Sequence, residues 1–333
     1  MDKSKFIAKI HFYFVYVPKS NRSFSANVCL SMKKEEIRVT CSDGVVLSGS
    51  LFVPQNPKAI IQFNNGTAVK KEFYLPFLHF LYQNGFICCL WDYRGSGDSR
   101  PDSMKNCLYY FKDYGLFDIP AINQYLVERF PDQPLIMVGH STGGQQIGFS
   151  DNICRIDGLV AIAVSTGYMS HMPLHYRLRS YFFFYFFTPL SILYYGYLKA
   201  KKFGFMEDLP KNVVREWRDW CEKPDYFFHK KFYGKTVPIG TFGNYRFPVH
   251  VFWTTDDPIA NAKSVDTFWK HINTTHPIRF HKILPAQYDV EKIEHLGFFR
   301  KEHQRKLWHD ILQSINDCLN TEKSNDAMKY KNN

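Results

Sequence analysis

The chain has 333 residues, 45% of them hydrophobic and 17% aromatic, which is enough to bury a large core and too much for a disordered chain. Its formal net charge is +11, but Lys and Arg come scattered in pairs such as Lys33-Lys34, Lys70-Lys71 and Lys230-Lys231, without the long basic block of a nucleic-acid-binding protein. The eight cysteines form no C-x-x-C pair and several sit in apolar runs, so they read as buried free thiols in a reducing, cytoplasmic compartment.

Residues 1–34 form an N-terminal extension, basic and then apolar, that imitates a signal peptide. Lys9 and His11 interrupt its apolar part and no small-x-small cleavage site follows cleanly, which argues against secretion. From Glu35 the pattern is regular. Two alternating runs around Ser42-Asp43-Gly44 predict a hairpin, because a D-G between alternating hydrophobics suits a tight turn. Ala59 to Phe63 reads as a buried strand, Phe73 to Gln83 as a helix and "FICCLWDYRG" as a strand. A helical segment from Tyr109 to Phe130, the strand "LIMVG", a helix after Ser141 and the strand from Gly158 to Thr166 follow. The rhythm resumes at "FPVHVFWTTDD", with a helix from Ala262 to Ile272, a strand at "IRFHKIL" and an amphipathic helix from Lys301 to Leu319. Apolar strands alternating with helices predict an α/β fold with a mostly parallel sheet covered on both faces. The α/β core is expected at 35–168 and 247–320, a helical insertion at 169–246, and a frayed polar tail at 321–333.

The insertion contains "SYFFFYFFTPLSILYYGYL", Ser180 to Leu198, which approaches the length of a membrane span. Pro189 and Gly196 interrupt it, and a span there would separate Ser141 from the later acidic and histidine residues. It reads instead as cap helices whose aromatic faces line a substrate cleft, with Tyr181, Tyr194, Trp217 and Trp220 as candidate lining residues. The flanking Arg177, Arg179, Lys199, Lys201 and Lys202 suit peripheral contact with an anionic membrane, or are ordinary solvated charges. His171 and His175 have Pro173 between them and no acidic ligand near, so neither a metal nor another cofactor is expected.

"LIMVGHSTGGQQIG" carries the chemistry. Gly139-His140-Ser141-Thr142-Gly143 is a G-x-S-x-G pattern between an apolar strand and a helix start. A serine hydroxyl is a weak nucleophile at neutral pH; it needs a histidine to take its proton and a carboxylate to orient that histidine. Both follow in the order this topology requires: "PVHVFWTTDDPIA" ends a strand in Asp256 and Asp257, and "IEHLGFF" supplies His295 after the next. Thr142, the residue after the serine, would supply one backbone N–H of an oxyanion hole.

With these residues in view, the chain resembles the α/β-hydrolase superfamily from about Glu35 to Asn320, in the arm that includes serine aminopeptidase-like hydrolases and monoacylglycerol lipases. "NNGT", "DYRGSGDS", "GHSTGG" and "HLGFF" carry the likeness. Leu209-Pro210 and "EWRDWCEKPDYF" resemble a group of predicted bacterial α/β hydrolases with no settled substrate. The resemblance favours Asp257 over Asp256, because Asp257-Pro258-Ile259-Ala260 fits the family's D-x-hydrophobic-small turn, and it supports His295 as the base. Matching Gly66 to the family's loop glycine makes Thr67 the second oxyanion donor, with Ala68 as the alternative. The implied activity is hydrolysis of an ester or thioester with an apolar acyl group through an acyl-enzyme. An aminopeptidase using Glu207, Asp208, Glu216 or Asp219, an acyltransferase, and a non-catalytic lipid- or membrane-binding protein are the alternatives.

Overall fold

The computed structural model describes residues 33–329 except 152 and 154; nearly all of the expected N-terminal extension and the end of the tail lie outside the described residues. Eight strands form one sheet in the order β1-β2-β4-β3-β5-β6-β7-β8. They are β1 (Lys34–Thr40), β2 (Val46–Phe52), β3 (Ala59–Asn64), β4 (Phe86–Trp91), β5 (Leu135–His140), β6 (Gly158–Ile162), β7 (Val249–Thr254) and β8 (Arg279–Ile283). The hairpin β1-β2 and the β2-β4 pair are antiparallel, and every later pairing is parallel. Each residue of β3, β4, β5 and β6 is buried, which a strand achieves only when both faces of its sheet are covered. The edge strands β1 and β8 keep exposed positions. The expected α/β architecture is therefore present, with the parallel strands delivering their C-terminal ends to one rim.

The helices differ from expectation in ways that have local causes. Helix α1 (Leu75–Gln83) carries Pro76 in its first turn, behind a tight turn at Lys71–Tyr74. The long helix expected from Tyr109 is instead a wide π-turn, Tyr114–Asp118, leading into α2 (Ile119–Arg129). After Ser141, α3 (Thr142–Gln145) lasts only one turn, because Gly143 and Gly144 are weak helix formers. The segment between β6 and β7 holds α4 (Leu174–Phe182), a π-turn at Phe183–Phe187, α5 (Thr188–Tyr195) closed by left-handed Gly196, and α6 (Lys211–Cys221). Helix α7 (Ala262–Trp269) is capped by Asn261, whose side chain accepts the Lys263 and Ser264 N–H groups. Helix α8 (Glu294–Gly297) is one turn long; α9 (Leu307–Lys329) continues past Leu319 into the expected tail, where no Pro or Gly stops it. Among the described residues no helix is long and apolar enough to cross a membrane.

Candidate active site

Strand β5 ends at His140, and Ser141 turns the chain sharply with φ +50° and ψ −118°, a conformation that non-glycine residues avoid. Its N–H donates to the Ile162 carbonyl at 2.9 Å, and its carbonyl accepts from Gly144 and Gln145, which fixes the turn against β6 and α3. The flanking glycines are required by close approach. A Cβ on Gly139 would lie 2.6 Å from the Gly144 backbone, and one on Gly143 would lie 2.1 Å from the Asn64 carbonyl oxygen. Thr142 is the first residue of α3, where an N–H has no acceptor within the helix.

His295 and Asp257 meet at the rim beside this turn. His295 Nδ1 lies 2.7 Å from Asp257 Oδ2, and the other Asp257 oxygen accepts the N–H groups of Ile259 at 2.7 Å and Ala260 at 2.9 Å. Asp257 is thereby buried and fully bonded. Asp256, the competing acid, accepts the Thr254 hydroxyl and, through Oδ2, the N–H groups of Ile293 and Glu294 at 2.8 and 3.1 Å. It grips the loop that carries His295 rather than the imidazole, a role its sequence position does not betray.

Thr67 follows β3 in the loop Asn64–Thr67, ahead of Ala68 at φ +54°. The loop is tied down by Asn65 Nδ2 donating to the Trp91 carbonyl at 2.7 Å and by Gly66 N–H donating to the Tyr74 hydroxyl at 3.0 Å. Tyr74 in turn lies 2.8 Å from His140 Nδ1, and His140 Nε2 lies 3.0 Å from the His295 carbonyl oxygen. Burial, reinforced by His295 alongside, holds His140 well below the usual histidine range, and burial raises Tyr74 far above the usual phenol range. A protonated phenol and a neutral imidazole leave one self-consistent assignment. Tyr74 O–H donates to Nδ1, and Nε2–H donates to the His295 carbonyl. No local motif announces this series of hydrogen bonds, because Gly66, Tyr74, His140 and His295 belong to different elements.

Two cavities meet at His295, Tyr176 and Leu296. A small one of about 50 Å³ is lined by Ser141, Thr67, Met172, Tyr176, Phe184 and Trp217, among others. An open groove of about 700 Å³ runs past Asp257 and His295 between His171, Arg179, Lys292 and Arg300. Of the four aromatic residues expected to line the cleft, only Trp217 does so. Tyr181 and Tyr194 are exposed on the outer side of their helices, and Trp220 is fully buried against Phe111, Phe149 and Phe227. The cause is helix phase: both faces of the segment are aromatic, so composition cannot say which one turns inward.

The loop "DYRGSGDS" holds a buried ion network. Arg94 bonds Asp118 at 2.6 Å and reaches Asp43 with both terminal nitrogens, while Lys71 pairs with Asp92 at 2.7 Å. Among the described residues no group of three His, Cys, Asp or Glu could hold a metal ion.

Residues 55–180 match the model of a family described as serine aminopeptidase, S33. No curated protein matches the chain by sequence. Solved structures similar to it include an esterase of Pyrococcus furiosus, 16% identical with a TM-score of 0.57 over 86% of this chain and 92% of that one. A lipase in its open form is 15% identical with a TM-score of 0.54, and DcsB in complex with a substrate analogue is 14% identical with 0.58; each match covers 86% of this chain and 99% of the other. At such identities the likeness speaks for the fold. The sheet and these structural likenesses together give the chain the α/β-hydrolase fold, and the family match over residues 55–180 agrees with it.

Proposed function

We propose that the protein is a serine hydrolase of the carboxylesterase type, cleaving an ester or thioester with an apolar acyl group. The observation that carries this reading is the 2.7 Å contact of Asp257 with His295, in a cavity wall that His295 shares with Ser141 on its strained turn. Ser141 attacks the acyl carbon as His295 takes its proton, and Asp257 orients the imidazole and balances its charge. The N–H groups of Thr142 and Thr67 stabilise the oxyanion. His295 returns the proton to the leaving group, and a water activated the same way releases the acid.

The apolar lining by Met172, Phe184 and Trp217 favours an apolar acyl group, and a space of about 50 Å³ favours a short one. A peptide substrate with a free amine is disfavoured because the four acids of the insertion that could hold the amine are already engaged. Glu207 pairs with Lys201, Asp208 with Arg100, and Asp219 with Arg218, while Glu216 accepts the Lys112 N–H at 2.9 Å. None of them lines the cavity beside Ser141.

The test is a chain-length series of p-nitrophenyl esters together with fluorophosphonate labelling. The logarithm of kcat/KM should rise by about 0.8 kcal/mol equivalent per methylene until the small cavity fills, then fall. A flat profile from acetate to decanoate defeats the apolar-pocket reading, and equal labelling of Ser141→Ala and the parent defeats the nucleophile.

A further inference from the structure

The segment Leu174–Tyr195 is one continuous rod about 33 Å long, in which α4, the π-turn and α5 follow without a break. Its two sides have different surroundings. Tyr176, Ser180 and Phe184 face inward and line the cavity beside Ser141. On the other side Leu174, Leu178, Phe186, Leu190 and Leu193 recur at spacings of three, four or eight residues, with Tyr194 four beyond Leu190, and the six are 61, 60, 57, 40, 76 and 77% exposed. A run of large apolar side chains of this length in water is unusual on a protein that acts alone in solution.

The charge pattern indicates what covers it. No Asp or Glu lies between Asp157 and Glu207 in the sequence, while Arg177 and Arg179 lie in the first half of the rod and Lys199, Lys201 and Lys202 follow its end, Lys201 being paired with Glu207. Lys199 and Lys202 lie over the Tyr195 ring at 4.7 and 5.8 Å, which keeps both ammonium groups beside the apolar stripe. A second copy of the chain would bring face to face two segments that carry cations and no acid of their own, the acids that touch them, Glu222 at Tyr185 and Glu207 at Lys201, belonging to neighbouring segments. An anionic surface that also accepts apolar groups is complementary to both features.

We infer that the outer side of Leu174–Tyr195 docks on a lipid bilayer bearing anionic headgroups, with the leucine and aromatic side chains in the headgroup–acyl boundary and the flanking cations on the headgroups. Docking places the wall of the Ser141 cavity against lipid, one helix thickness away. The inference does not need the hydrolase reading.

Co-sedimentation with phosphatidylcholine vesicles containing phosphatidylserine, against phosphatidylcholine alone, tests it. The parent should bind the mixed vesicles in a salt-sensitive way. Leu178→Glu combined with Phe186→Glu should lower the partition coefficient by about tenfold or more. Turnover of a water-soluble short ester and the thermal midpoint should not change, since neither side chain lines the cavity. Lys199→Gln with Lys202→Gln should weaken binding to the mixed vesicles and leave that to phosphatidylcholine alone unaltered. Ser141→Ala should bind like the parent, so a failed hydrolase reading leaves this result intact. The inference is overturned if the parent ignores mixed vesicles or if the Leu178→Glu, Phe186→Glu chain binds them equally well. It is also overturned if the parent self-associates without lipid and that chain does not, because a second copy then covers the stripe.

Discussion

The Tyr74 hydroxyl, 2.8 Å from His140 Nδ1 in a fully buried site, links the loop before Thr67 to the backbone of His295. Tyr74→Phe keeps the ring among Phe63, Phe73 and Phe299 but leaves the Gly66 N–H and His140 Nδ1 without a bond. The expected cost is about 1–3 kcal/mol of stability. On the proposed mechanism kcat for a short ester should also fall about ten- to a hundredfold, with KM little changed, because the oxyanion loop and the base lose their common brace. Destabilisation with kcat intact would reduce Tyr74 to a packing residue.

The two adjacent acids should separate sharply. Asp257→Asn removes the carboxylate that meets His295 and should lower kcat by about 10⁴-fold. Asp256→Asn loosens the Ile293–Glu294 loop but leaves the imidazole its partner, so its loss should be at least about tenfold smaller. Side-by-side kinetics of the two variants decide it, and equal losses would void the assignment.

Backbone crowding at the turn predicts a stability contrast. Gly143→Ala drives a Cβ into the Asn64 carbonyl and should cost at least about 3 kcal/mol in urea denaturation. Gly243→Ala meets nothing within 4 Å and should stay within about 0.5 kcal/mol of the parent. Similar midpoints for both would mean the turn relaxes easily.

His250, on β7, has Nδ1 3.0 Å from His281 Nε2 on β8, and burial, aided by His281, lowers it to about 4. Above the ordinary histidine value of 6.5 it is neutral folded and unfolded and contributes no pH dependence. As pH falls from 6.5 towards 4, the unfolded chain takes up a proton that the native one refuses, so stability is lost. Between pH 7 and 5 the loss from this residue is about 2 kcal/mol. Urea midpoints at the two pH values should therefore differ more for the parent than for His250→Asn; equal differences would remove His250 from the account.

Most strands and the turn at Ser141 were legible because their signals are local: buried apolar runs, and glycines two positions either side of a serine. The contact of Asp257 with His295 has a local signal in the hydrophobic-small turn that follows the acid, since Ile259 and Ala260 supply the N–H groups that seat its second oxygen. Three features were not. The loop-holding role of Asp256 depends on Ile293 and Glu294, and the Tyr74–His140 bond joins residues on different elements. Which side of Leu174–Tyr195 turns inward depends on how the rod seats over the rim, because aromatic residues occupy both sides and a π-turn shifts the phase midway.

His295 forms part of the wall of two chambers of different character, a narrow, mostly apolar one lined by Ser141 and a broad groove past Asp257 lined by charged and apolar residues alike. For the proposed reaction this separates traffic. The acyl group stays lodged on the Ser141 side while the departing alcohol or thiol drains through the groove, and the incoming water arrives by the door the alcohol has just used. The imidazole stands on the threshold between them, so the two halves of the substrate need not pass one another during a catalytic cycle.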